Sequence, residues 1–178
     1  MKTIYFMRHG QSEANAAKLV AGGGLDSPLT RLGMVQAAKV GRQLKDKKIQ
    51  LIVSSPMKRA YHSAVVLANE LGYPADKIVL SDFFRERHLG DLTGKPHDEV
   101  QLYFDINATP PGGESTEQVY ARIIEGLSWL KTLEADRILV VSHGGPGRML
   151  RAIYRDEQHR TINSLASIGN AELLEVDL

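Results

Sequence analysis

Short runs of unbroken apolar residues alternate along this chain with longer stretches in which apolar positions recur every third or fourth residue. TIYFM near the N-terminus is followed by the helical pattern of SEANAAKLV. After the loop AGGGLDSP, the segment LTRLGMVQAAKVGRQL sets Ala37, Val40, Gly41 and Leu44 at helical spacing, with Thr30 placed to cap the helix. IQLIVSS then runs into PMKRAYHSAVVLANEL, where Pro56 suits a first helical turn, and KIVLS follows as another short apolar run. The loop PPGGES ends in Ser115, which forms a capping box with Gln118 ahead of EQVYARIIEGLSWLKTL. RILVVSHGG leads into the helical PGRMLRAIY, and AELLEVDL reads as a last edge strand. This alternation predicts an α/β three-layer sandwich with a mostly parallel central sheet, because only strands covered on both faces are apolar throughout.

Length and composition narrow the picture. A chain of 178 residues with 43% hydrophobic content supplies one sizeable core, so a single domain over residues 1–178 is expected. Lys and Arg number 22 against 21 Asp and Glu, a formal charge of +1, which argues against a nucleic-acid or membrane-binding surface. Positive charge that matters must be local. The absence of cysteine excludes disulfides, thiolate catalysis and cysteine-ligated metal. The first apolar run stops at Arg8, too early for a signal-peptide core, and no stretch approaches a membrane span. A soluble, cytoplasmic protein is the expectation.

Ligands of open α/β sheets gather at the carboxyl ends of the strands, and the chemistry-bearing residues of this chain fall there. TIYFM delivers Arg8 and His9; IQLIVSS delivers Ser54 and Ser55, with Arg59 one turn into the next helix; RILVVS delivers His143. Two histidines with Glu86 of FFRERHLGDLTG are a conceivable metal set, but two fixed arginines beside a divalent cation are repulsive. A phosphate group wants what these ends offer, namely forked guanidinium donors, imidazoles and helix-end amides.

The ordered set RHGQSEAN, LDSPLTRLGMVQA, SSPMKRAYHSA, ERHLGDLTG, PGGES and VVSHGGPGRML closely resembles the histidine phosphatase superfamily, in its phosphoglycerate mutase-like branch, over nearly the whole chain. The resemblance implies that His9 is the nucleophile that becomes phosphohistidine, and that Arg8, Arg59 and His143 hold the phosphoryl oxygens. It implies that Glu86 is the acid that protonates the leaving oxygen, and that Asn15, Gln11, Ala21, Gly22, Arg87 and Gly144 contact phosphate or substrate. Gly22 to Gly24 read equally well as a close approach to ligand or as a plain flexible turn. No metal or organic cofactor is implied. A small phosphorylated substrate is expected, and homodimers are common in the family. True mutases carry a longer insertion before PPGGES with a lysine and paired arginines; here KPHDEVQLYFDINATP has Lys95 and no arginine pair, Leu89 stands for an aromatic, and Ala14 for a tryptophan. A site without that cover admits water to the phosphohistidine, so a phosphomonoester phosphatase is favoured and mutase-type phosphoryl transfer is the alternative. His62, His97 and His159 have no partner in these motifs and read as surface or structural residues.

Overall fold

In the computed structural model, which describes residues 2–105, 108–154 and 168–178 (for 102–105 the backbone alone), the apolar runs become strands of one sheet. These are β1 (Thr3–Arg8), β2 (Leu51–Ser54), β3 (Val79–Leu80), β4 (Arg137–Ser142) and β5 (Leu173–Asp177). Their order is β3-β2-β4-β1-β5, parallel throughout except for β5, which runs antiparallel to β1 at one edge.

The helices are α1 (Glu13–Ala16), α2 (Arg31–Gln43), α3 (Lys58–Leu71), α4 (His97–Asp105), α5 (Thr116–Thr132) and α6 (Gly144–Tyr154). Successive side chains of a strand point to opposite faces, and β4 shows why its run is apolar throughout. Ile138 and Val140 pack with Phe6, Ile123, Leu130 and Leu150 on the α5 and α6 side, whereas Leu139 and Val141 pack with Met7, Val40, Ile52 and Leu67 on the α2 and α3 side. All four β4 residues are fully buried. Three layers result, as the alternation of patterns predicts.

The caps at Thr30 and Ser115 form as expected: Thr30 accepts from the Gly33 amide, and Ser115 and Gln118 make the reciprocal pair. Four features differ from the sequence reading. The helix expected over SEANAAKLV ends at Ala16, because Lys18 adopts a left-handed φ of 56° and turns the chain toward the site. Pro56 lies before the cap of α3, which is Met57, rather than inside its first turn. The KIVLS strand is only two residues long, at the sheet edge, where Val79 and Leu80 stay exposed. The interval after Gly94 contains α4, which the sequence reading left without structure.

A separate apolar cluster of Val20, Leu89, Leu92 and Val100 joins the 19–24 loop, the 86–96 loop and α4. Backbone bonds from Val20 to Lys95 (2.9 Å) and from Gly94 to Val20 (2.7 Å) stitch the same segments together. His159 lies outside the described residues. No helix among the described residues is long and apolar enough to cross a membrane.

Candidate active site

Strand register brings the two motif histidines together. Arg8 of β1 pairs with Ser142 of β4, so the next residue of each parallel strand, His9 and His143, leaves the sheet side by side. The His9 amide donates to the Ser142 carbonyl (2.9 Å), and the two rings meet edge to face with centroids 5.1 Å apart. Glycine after His9 has a packing reason: a Cβ on Gly10 would lie 2.2 Å from the Gly33 carbonyl oxygen, so the loop after His9 and the start of α2 approach backbone to backbone.

The hydrogen bonds of His9 define its tautomer. Nδ1 lies 2.6 Å from the Gly10 carbonyl, which can only accept, and Nε2 receives the Arg59 Nε–H at 3.1 Å. Nδ1 therefore carries the proton and Nε2 its lone pair. His9 is 2% exposed, and burial first, then Arg59 and Arg8, hold its pKa well below the usual histidine value. Neutral imidazole is thus the stable form at neutral pH. His143 is fully buried and is depressed in the same direction, by burial and then by Arg59 and His9. Its Nε2 meets the Ser55 hydroxyl at 2.8 Å, and its buried Nδ1 has no hydrogen-bond partner among the described residues. Ser55 already accepts from the Met57 amide (3.4 Å); donating its own proton to Nε2 leaves His143 with an N–H at Nδ1.

Glu86 faces this pair from a loop rather than from a strand. Its carboxylate accepts from the amides of Arg87 (2.9 Å) and Gly145 (3.1 and 3.3 Å), and a Cβ on Gly145 would sit 2.3 Å from its Oε1. The loop is clamped from outside. Arg122 of α5 donates to the carbonyls of Phe83 and Arg85 (both 2.9 Å) and forms a forked pair with Glu114 (3.0 and 3.1 Å). Glu114 in turn accepts from the His88 amide at 2.8 Å. Arg85 makes an exposed pair with Asp82 at 3.1 Å and takes no part in the site.

A cavity of about 470 Å³ opens among these groups. Arg8, His9, Asn15, Ala21, Gly22, Arg59, Glu86, Arg87 and Gly144 all line it. Asn15 accepts through Oδ1 from the Ser12 amide (3.1 Å) and from Asn170 (3.0 Å), so its amide NH₂ is the part left for a ligand. His143 is packed beside His9 and does not itself form the wall. Gln11 is not among the residues that line it either: its Oε1 accepts from Thr30 (2.9 Å) and its carbonyl from the Thr30 amide (2.9 Å), which braces the loop against α2.

His97, read from sequence as surface or structural, stands at the rim and lines the cavity with Gln101, one turn further along α4. Sequence reasoning also missed Arg148, although a helix beginning at Gly144 places residue 148 on the same face one turn on. Asn170, which donates to the His9 carbonyl at 3.2 Å as well as to Asn15, has no sequence signature. Among the described residues no three His, Asp or Glu side chains gather as metal ligands would.

Fold and site together define an α/β protein that presents arginines, a neutral histidine with an unprotonated Nε2, and a carboxylate around one polar cavity at the carboxyl end of a parallel sheet. Residues 4–178 match the model of the histidine phosphatase superfamily, branch 1, and the chain belongs to that superfamily. Its fold is phosphoglycerate mutase-like and its enzymatic class that of a phosphatase. The chain is 37% identical over 126 residues to fructose-2,6-bisphosphatase TIGAR B of Danio rerio, spanning 67% of this chain but only 49% of that one. It is 30% identical to the 2,3-bisphosphoglycerate-dependent phosphoglycerate mutase of Methylorubrum extorquens, over 92% of this chain and 84% of the other. Among solved structures, mycobacterial glucosyl-3-phosphoglycerate phosphatase in complex with VO3 superimposes with a TM-score of 0.89 at 29% identity, covering 99% of this chain and 93% of that one.

Proposed function

We propose that the protein hydrolyses phosphomonoesters through a phosphohistidine on His9 without a metal. The observation that carries this reading is the tautomer of His9: a carbonyl holds Nδ1–H and leaves Nε2 of a buried, neutral ring unprotonated, its lone pair accepting only from Arg59, whose Nε–H must turn to the phosphoryl group as Nε2 attacks. Nε2 attacks phosphorus and forms the N–P bond as the ester P–O bond breaks; the electron pair leaves on the ester oxygen, which takes a proton from Glu86. Arg8, Arg59 and the Nδ1–H of His143 are suited to the charge spread over the equatorial oxygens, and the partnerless Nδ1 of His143 and Nε of Arg8 fit such a ligand. Water then gives its proton to the Glu86 carboxylate and its oxygen to phosphorus, the N–P bond breaks, and its electrons return to Nε2. One ester and one water yield one alcohol and one phosphate.

Mutase-type transfer is the second reading, supported by the likeness to a phosphoglycerate mutase over 92% of the chain. The short interval before PPGGES, without an arginine pair, supports hydrolysis instead.

The test is release of phosphate from a panel of phosphomonoesters in the presence of chelator, with 3-phosphoglycerate assayed in parallel for isomerisation and with an alkaline detergent quench to trap labelled protein. Phosphate release that survives chelator, with an acid-labile label, is the expected result. Isomer without phosphate release establishes the mutase; activity lost in chelator and restored by a divalent cation overturns the metal-free route.

A further inference from the structure

Arg122 and Glu114 do not line the cavity, yet between them they hold the backbone on both sides of Glu86. Ahead of the acid, Arg122 Nη1 donates to the Phe83 and Arg85 carbonyls (both 2.9 Å). Ser142, the residue before His143, takes the carbonyl between them, its hydroxyl donating to Phe84 at 2.7 Å. Beyond the acid, the Glu114 carboxylate accepts from the His88 amide (2.8 Å) and the Glu114 carbonyl from Arg87 Nε (2.9 Å). The fork between Arg122 and Glu114 (3.0 and 3.1 Å) joins the two halves of this cradle. Arg122 stands in the second turn of α5 and Glu114 just ahead of the Ser115 cap, so the cradle is carried by a helix that buries Val119, Ile123, Leu127 and Leu130 in the core.

Proton donation makes such a cradle necessary. Glu86 belongs to no helix or strand, and a general acid works only within about 2.6–3.2 Å of the oxygen it protonates. A displacement of about 1 Å costs roughly a hundredfold in rate. The side chains of Arg122 and Glu114 are 19% and 26% exposed, against 45% and 79% for the neighbouring Arg85–Asp82 pair, so the fork is the one of the two that keeps a fixed geometry against water and salt. Resting on the phosphatase reading, we propose that Arg122, through its fork with Glu114, is a positioning residue for proton donation by Glu86. It touches no reacting atom and speeds the reaction only where the leaving oxygen needs a proton. The competing role is electrostatic: Arg122 is also the last of the charges that depress the His143 pKa, and an effect carried through His143 would act on every ester alike.

The experiment compares kcat/KM for 4-nitrophenyl phosphate and for the alkyl phosphate that wild type hydrolyses fastest. This parameter covers the steps through formation of the phosphohistidine, so the later action of Glu86 on water does not enter it. Arg122→Lys keeps the positive charge near His143 but cannot hold two carbonyls and a fork at once. It should lower the alkyl value about ten- to a hundredfold and the nitrophenyl value less than about threefold. In a Glu86→Gln background the same substitution should change the ratio of the two esters by less than about twofold, because the group it positions no longer donates a proton. Glu114→Gln leaves the Arg122 bonds to Phe83 and Arg85 in place and removes only the charge of the fork, so it carries the test should Arg122→Lys fail to fold. It should show the same split at about three- to tenfold. Equal losses for both esters, no split in either variant, or a split that persists in the Glu86→Gln background overturns the positioning role alone. Failure of wild type to release phosphate from any ester overturns the phosphatase reading and the positioning role with it.

Discussion

His9, Arg59 and His143 emerge from β1, α3 and β4, elements locked into the two cores that sandwich the sheet, whereas Ala21, Leu89 and His97 stand on segments joined to one another by only Val20, Leu89, Leu92 and Val100. The floor of the cavity can open only if the sheet opens. The rim is held by four apolar residues, a few backbone bonds and the Arg59 bonds to the Gly22 and Leu25 carbonyls, a smaller set than the cores, and lower local stability of this kind is what allows a binding wall to move or vary without unfolding the domain. Glu86 lies between the two. Its loop leaves the rim, but the Arg122–Glu114 clamp ties it to α5 and so to the main core. On the proposed mechanism, chemistry rests on the rigid part and substrate fit on the part that varies at lower cost.

The largest test of that division is on the floor. His9→Ala should lower phosphate release by roughly 10⁴-fold or more and abolish the acid-labile label. A label that persists in the variant would remove His9 from the nucleophile role. Next in size is Glu86→Gln, expected to cost about 10²- to 10⁴-fold with alkyl phosphates, whose leaving oxygen needs a proton. Nitrophenyl phosphate, which leaves as a stable anion, should lose far less; equal losses would mean that another group is the acid.

A third effect separates floor from rim by stability rather than rate. His9 and His143 titrate well below the usual histidine value when folded, so the unfolded chain takes up protons in a range where the folded one does not. Stability should therefore be level above about pH 6.5 and fall as the pH drops below it, at about 1.4 kcal/mol per pH unit for each histidine. Urea melts between pH 7.5 and 5.5 measure that slope, to which His97 adds in the same direction, and His143→Gln should remove one histidine's share of it; an unchanged slope would mean that this ring is not held neutral. The smallest effect is expected at the rim. Leu92→Ala leaves a cavity worth about 2–3 kcal/mol. That loss falls on local opening, read as faster amide exchange at Val20 and Gly94 and a several-fold rise in KM with kcat within about twofold. A kcat loss matching that of Glu86→Gln would erase the distinction between floor and rim.

The parts legible beforehand were those governed by near-neighbour rules. Strand runs, the Thr30 and Ser115 caps and the placement of His9, Arg59 and His143 at carboxyl ends follow from side-chain period and from the geometry of parallel sheets. Gln11 and His97 show where such rules stop. Both are polar residues near motifs, and only the packing of α2 against the 10–12 loop and of α4 against the 19–24 loop decides that the first braces and the second lines the cavity. Arg148 comes onto the face of Gly144 only because α6 begins at Gly144, two residues ahead of the helical pattern PGRMLRAIY.

By itself, then, the sequence determined the layers, the strand ends and the set of groups able to handle a phosphoryl ester, because burial and backbone period act along the chain. The tertiary structure decided which nitrogen of His9 holds the proton, which amides hold Glu86 and which arginine clamps its loop, because each depends on atoms far apart in sequence: Arg59 and His9 meet across 50 residues, and Gly145 and Glu86 across 59.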